Sequence, residues 1–177
     1  MSFFEKSIRT LELPAVLDML AQQAVGDTAK ERALELRPAG ESAEVRRRLA
    51  ETSAAKTMMT VRGSPSFSGI KDVRSSLARA DLGGSLNTRE LLDIARVLQC
   101  ARLVRGYVAE DSVGKTCIDH LFYGLHANKF LEEKISTSIV GEDEIADGAS
   151  PELATIRRQM RAAAARARDA LQKILSS

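Results

Sequence analysis

Five arginines, Arg157, Arg158, Arg161, Arg166 and Arg168, crowd the last stretch of the 177-residue chain and are the side chains best suited to a chemical task. A guanidinium is planar, stays charged and offers a fork of donors that matches phosphate oxygens. Arg157, Arg161 and Arg168 are separated by four and seven residues, so a helix carries them on one face, with Arg158 and Arg166 beside it. Together with Lys173 they face only Glu152 and Asp169, which gives residues 151–177 a formal charge of +4 and leaves −2 for the remainder. The five arginines are therefore candidate nucleic-acid contacts; the competing reading is the solvated flank of a coiled coil.

Other constellations offer less. Gly114-Lys115-Thr116 has the ending of a phosphate-binding P-loop, but Ala109 stands where that motif needs its first glycine, and no buried strand precedes it. Cys117, Asp119, His120 and His126 lie near one another without a Cys-x-x-Cys or a distant second pair of ligands, so a thiol and two ordinary histidines explain them. Glu142, Asp143, Glu144 and Asp147 read as a charged turn, because carboxylates adjacent along a turn face solvent and a two-metal centre needs others from elsewhere. No Ser-His-Asp arrangement is recognisable. The expectation is no catalytic, cofactor or metal site in these residues.

These side chains must be carried by helices. Leu13, Val16, Leu17, Leu20 and Ala24 recur at helical spacing between Pro14 and Gly26, and Asp27 is placed to cap a second helix through Leu36. Residues 42–62 carry a narrow apolar stripe ended by Gly63, and Phe67 is the apolar anchor of an ordered loop, Gly63-Ser64-Pro65-Ser66-Phe67-Ser68-Gly69. Ile70, Val73, Leu77 and Ala80 restart the period as far as Gly83-Gly84. Asn87-Thr88-Arg89-Glu90 has the form of a capping box, and Leu91, Ile94, Leu98, Ala101 and Val104, widened by Leu92, Ala95, Val97 and Leu103, predict a long central helix. A weaker segment with Ile118, Leu121, Phe122 and Leu125 precedes Asn128 and a helix with Phe130, Leu131 and Ile135. Residues 138–140 and 144–146 flank a three-residue turn and predict a hairpin.

Ser150-Pro151 then starts a helix that runs without a stop signal to Ser177. Leu153, Ile156, Met160, Ala163, Ala167, Ala170 and Ile174 alternate steps of three and four, as a coiled coil requires. Alanine buries little area, so the middle turns need a closely approaching partner. A helix of about 25 residues spans roughly 37 Å, long for a protein of 19.2 kDa, and is expected to project.

Composition agrees with this layout. Hydrophobic residues make up 44% and charged residues 28%, which suits a folded chain with one main core, while 4% aromatics and no Trp favour packed helices over a sandwich or barrel. Two cysteines, a start without the layout of a secretory signal, and no apolar run of membrane-spanning length together predict a cytoplasmic protein with no membrane partner. The expected fold class is all-α: a helical bundle with a long projecting terminal helix and one small β-hairpin. Residues 1–150 form the helical platform and residues 151–177 the start of an arm.

The run ETSAAKTMMTVRGSPSFSGIKDVRSSLARADLGGSLNTRELLDIARVL, with LELPAVLDMLAQQA before it and EIADGASPELATIRRQMR after it, resembles the amino-terminal region of the second bacterial MutS-like family, the paralogue with a carboxy-terminal Smr domain. The Arg62-Gly63-Ser64-Pro65 turn with Phe67-Ser68-Gly69-Ile70 is its most specific part, followed by Ser150-Pro151-Glu152-Leu153. The resemblance implies a core and lever whose parent chain continues through a clamp, an ABC-type ATPase that uses ATP and Mg, and a nuclease-like Smr domain. It also implies a homodimer acting on branched DNA or collided ribosomes, with activity of the whole chain rather than of these residues. The alanine-rich middle of the last helix departs from the family's Leu- and Glu-rich lever. A free-standing helical interaction module without a motor is the alternative, and the length of the native reading frame separates the two.

Overall fold

A computed structural model describes residues 3–109 and 115–176, and nearly all of their regular structure is helical. The elements are α1 (Phe3–Thr10), α2 (Leu13–Gln23), α3 (Asp27–Leu34), α4 (Ser42–Arg62), α5 (Arg74–Asp81), α6 (Thr88–Ala109), α7 (Asp119–Tyr123) and α8 (Lys129–Ser138). An antiparallel hairpin, β1 (Ile139–Gly141) and β2 (Glu144–Ile145), and one 3-10 turn (Asp147–Ala149) lead into α9 (Pro151–Leu175). No helix among the described residues is long and apolar enough to cross a membrane.

The starts of α6, α8 and α9 follow from side chains that accept otherwise orphaned backbone donors. At α6 the exchange is reciprocal: Asn87 Oδ1 accepts from Glu90 N at 2.9 Å and the Glu90 carboxylate accepts from Asn87 N at 2.9 Å. The same carboxylate accepts from the Arg79 guanidinium and, at 3.2 Å, from the Ser76 hydroxyl, so the cap also ties α5 to α6. Asn128 caps α8 by accepting from Leu131 N. The end of α5 is equally definite. Gly83 has φ +81°, and Gly84 donates to the Arg79 carbonyl at 2.9 Å, so near that a Cβ on Gly84 would meet the same oxygen at 2.9 Å.

The main core lies where α6 meets α8 and β1. Ile94, Ala95, Ile135 and Ile139 are buried together, and Val73, Leu86, Leu91, Leu92 and Leu98 pack around them. Beside this core Glu132 of α8 is buried and accepts from Arg102 Nε at 2.9 Å and Nη2 at 2.8 Å, a bidentate pair that spends both carboxylate oxygens on α6. A second contact region involves the buried side chains Met58 and Val104 with Ile118, and α2 packs on α3 through Leu17, Ala21 and Ala33.

The main core expected from the length is present, and the surface area shows that it is small. The chain leaves 13688 Å² accessible, whereas a compact protein of this mass exposes about 8,400 Å². Few of the apolar side chains are buried, and large ones such as Leu82, Leu103 and Phe130 remain exposed. Local corrections have similarly plain causes. Gly26, at φ +92°, occupies the cap position of α3 in place of Asp27, which lies in the first turn, and α3 stops at Leu34 rather than Leu36. Arg74, not Ile70, opens α5, after Asp72 Oδ1 accepts from Arg74 N at 3.0 Å. Only Glu142 and Asp143 separate the hairpin strands, because Gly141 pairs with Glu144. α1 is an element that the sequence reading did not contain. α9 ends at Leu175; Ser177 lies outside the described residues.

Loop 63–69 is ordered as expected. Tyr107 Oη donates to the Gly63 carbonyl at 2.7 Å and Cys100 Sγ donates to the Ser66 carbonyl at 3.4 Å. Phe67, the expected anchor, is exposed (41%) rather than buried, and lines a largely apolar cleft of about 710 Å³ with Met58, Met59, Tyr107 and Phe122, so the loop is held by these two hydrogen bonds.

Ion-paired carboxylates make the fold sensitive to acid. Arg47, then Arg48, hold Glu44 down to about 2 from an ordinary 4.5, and Arg74 holds Asp72 down to about 2 from 3.8. Glu90, Glu132 and Asp147 are lowered as well, chiefly by Asn87 N, Arg102 and Arg157 respectively. A carboxylate lowered in the folded chain binds its proton more readily when unfolded, so its contribution is complete above the unfolded value and lost as pH falls through the folded one. Thermal melting is therefore expected to be insensitive to these groups from pH 7 to 5 and to weaken from about pH 4.5 towards 2. An unchanged midpoint at pH 2 would contradict these pairings.

Candidate nucleic-acid interface

The helix that carries the five arginines is fixed at one end. Ser150 Oγ accepts from Leu153 N at 3.1 Å, and Pro151, with no N–H to satisfy, occupies the first turn. Leu153, Ala154 and Arg157 are partly covered at this root, whereas every residue from Arg158 to Ser176 is exposed. Met160 and Ile174 of the apolar stripe are 64% and 72% exposed, so beyond Leu153 the stripe is unpartnered within the described residues. The expected projection of the helix is seen.

Within that helix the arginines divide into two groups. Arg157 Nη1 donates to the Ile145 carbonyl at 2.6 Å and to Asp147 Oδ1 at 2.7 Å. Arg161 Nη2 lies 2.8 Å from Asp147 Oδ2. One carboxylate thus bridges two successive turns of α9, and these two guanidinium groups hold Asp147 below the usual carboxylate range. Arg158, Arg166 and Arg168 have no ion pair among the described residues. Arg168 lies along the helix from Arg157 and Arg161 on the same face, Arg158 lies beside that face, and Arg166, three residues after Ala163 and four before Ala170, flanks the apolar stripe. The free group is the better placed to meet an external phosphate, since its charges need not leave an internal partner.

The remaining sequence candidates are held in ordinary local structure. Gly114 lies outside the described residues, Lys115 is exposed, and Thr116 serves the start of α7, its N–H donating to Asp119 Oδ2 at 3.1 Å and its hydroxyl to Asp119 Oδ1. Cys117 and His126 are exposed, and a ring nitrogen of His120 is 3.0 Å from the Cys117 carbonyl. Among the described residues no group of His, Cys, Asp and Glu is arranged to hold a metal ion. Glu142 and Asp143 in the hairpin turn and Glu144 at the start of β2 are exposed, with Glu142 paired to Arg89 at 3.7 Å.

Asp147 is the residue that the sequence pattern did not connect with the arginines. It precedes Arg157 by ten residues and lies across a turn and a cap from it, so helical spacing contains no signal for the contact. The local cue is weaker: a carboxylate two residues after a hairpin strand and three before the Ser150 cap must lie close to the root of α9.

No family model matches the chain. Individual relatives do. Endonuclease MutS2 of Ruminiclostridium cellulolyticum is 41% identical over 175 residues, and that of Acetivibrio thermocellus 40% over 177; each alignment covers 98% of this chain and 22% of the relative. Endonuclease MutS2 of Clostridium botulinum is 34% identical over 175 residues with the same coverage. The chain spans about a fifth of the length of the curated relatives it matches. Across nearly all of its own residues, then, this helical chain with its projecting basic helix is similar to one segment of the Endonuclease MutS2 proteins.

Proposed function

We propose that the chain is the amino-terminal platform and outgoing lever of a MutS2-like protein, with residues 1–150 as the platform and residues 151–177 as the lever. The observation that carries this reading is the contrast along α9, whose root is capped and clamped to Asp147 while its remaining turns stand in solvent. A stiff helix anchored at one end transmits displacement over its length, as a flexible segment does not. In the whole protein, ATP and Mg at the later ATPase domain would supply the driving motion and the lever would carry it to a distal clamp. The parent would act as a dimer on branched DNA, restraining recombination, or on collided ribosomes. In this reading Arg158, Arg166 and Arg168, with Arg157 and Arg161 held by Asp147, are the nucleic-acid contacts of the segment, which itself performs no catalysis.

Charge and exposure support that assignment, since the arm holds +4 against −2 elsewhere. Titration of labelled branched DNA and of ribosomal RNA with the 177-residue chain tests it. Affinity is expected to be weak and to fall steeply with salt, with a logarithmic slope near −0.9 for each duplex phosphate neutralised. Charge reversal at Arg158, Arg166 and Arg168 together is expected to remove about three such contacts and flatten the slope by about 2.7. Equal binding and equal slope in the two proteins would reject the arm as the contact surface and leave it a lever alone. The preferred nucleic acid identifies the class of target.

A further inference from the structure

Asp147 holds two guanidinium groups with the two oxygens of one carboxylate, the arrangement that a phosphate contact would also use. The two pairs are not equivalent. Arg157 is two-thirds covered and has a second acceptor, the Ile145 carbonyl at 2.6 Å, so it keeps a partner when Asp147 is released. Arg161 is 68% exposed, and Asp147 is its acceptor among the described residues. An exposed pair of this kind contributes little to stability, so an external anion can compete for it. Arg161 shares its helix face with Arg168, which lies seven residues further out and carries no ion pair among the described residues.

We propose that Asp147 is a built-in phosphate competitor that withholds Arg161 from nucleic acid, so that the arm binds phosphate first through its outer arginines and recruits Arg161 only when a ligand displaces the carboxylate. This rests on the proposed nucleic-acid reading of α9 and adds a residue that limits it. The consequence is graded affinity. A ligand reaching only the outer turns finds Arg166 and Arg168, while one extending to the root also meets Arg158 and gains Arg161 against the cost of releasing Asp147. Arg157 remains the structural anchor throughout, so the root of the helix need not detach when Arg161 changes partner.

Fluorescence anisotropy of a labelled branched DNA against the 177-residue chain, over a series of salt concentrations, tests the competition through a double-mutant cycle. Asp147→Asn keeps the side chain's size and an acceptor oxygen but removes the charge. It is expected to tighten binding about threefold to tenfold at low salt and to steepen the logarithmic slope by about 0.9, one added phosphate contact. Arg161→Gln should cost more affinity in the Asp147→Asn background than in the wild-type chain. A merely structural role for Asp147 would change the amount of folded protein and not the salt slope, and circular dichroism of each variant reports the former. Binding by the wild-type chain with an unchanged slope in Asp147→Asn, or equal costs of Arg161→Gln in both backgrounds, overturns the competition and leaves the arm a contact surface. Failure of every variant to bind overturns both. Should Asp147→Asn lose helical signal, Asp147→Ser in the same cycle supplies the uncharged background.

Discussion

Ile94→Ala is expected to destabilise the chain by about 2–5 kcal/mol, the range for a large side chain deleted from a core that collapses only partly around the gap. Ile94 lies where α6, α8 and β1 meet, buried with Ala95, Ile135 and Ile139. Two circumstances make the loss severe. The partners come from three elements, so no single side-chain movement refills the space, and the rest of the molecule has little buried surface in reserve, as its 13688 Å² of accessible area shows. Whole domains are stable by only about 5–15 kcal/mol, so the variant should be substantially unfolded in mild denaturant. Urea titration followed by circular dichroism measures the change. Ile174→Ala, at a position 72% exposed on α9, is the control and should stay within about 0.5 kcal/mol of the wild type. Comparable losses at the two positions would mean that the arm is packed in solution and that the core is not centred on α6.

A second large effect is expected at Ala164, midway along the exposed part of α9. Proline there removes a backbone donor and crowds the carbonyl four residues earlier, a cost of about 3 kcal/mol in a helix interior. No tertiary contact is available to offset it, because every residue from Arg158 to Ser176 is exposed. The outer turns of α9 should therefore lose helicity or bend sharply while the platform melts as before. Spin labels at Thr155 and Gln172 would be about 26 Å apart on a straight helix, and Ala164→Pro should replace that narrow distance distribution with a broad one. An unchanged distribution would show that something braces the arm. A lowered melting temperature of the platform would show that residues 151–177 and 1–150 are one cooperative unit, against the division proposed above.

Local chemistry determined the starts of α6, α8 and α9. The Asn87-to-Glu90 capping box, Asn128 and Ser150-Pro151 each place a side-chain acceptor within three residues of the donors it satisfies, so their consequences need no distant partner. The all-helical class, the central position of α6 and the exposed run of basic residues on α9 follow from spacing that repeats inside one element. Three features were decided only by the tertiary structure. Glu132 looks like a surface residue in sequence, yet it is buried because α8 turns that face onto Arg102 of α6. The core proved small, since composition counts apolar residues without saying how many can share one interior. The five arginines, alike as a charge pattern, were sorted by Asp147 into two that are engaged and three that are not ion-paired within the described residues. Each of these depends on the crossing of separate elements, a distance in space that the order of residues along the chain does not contain.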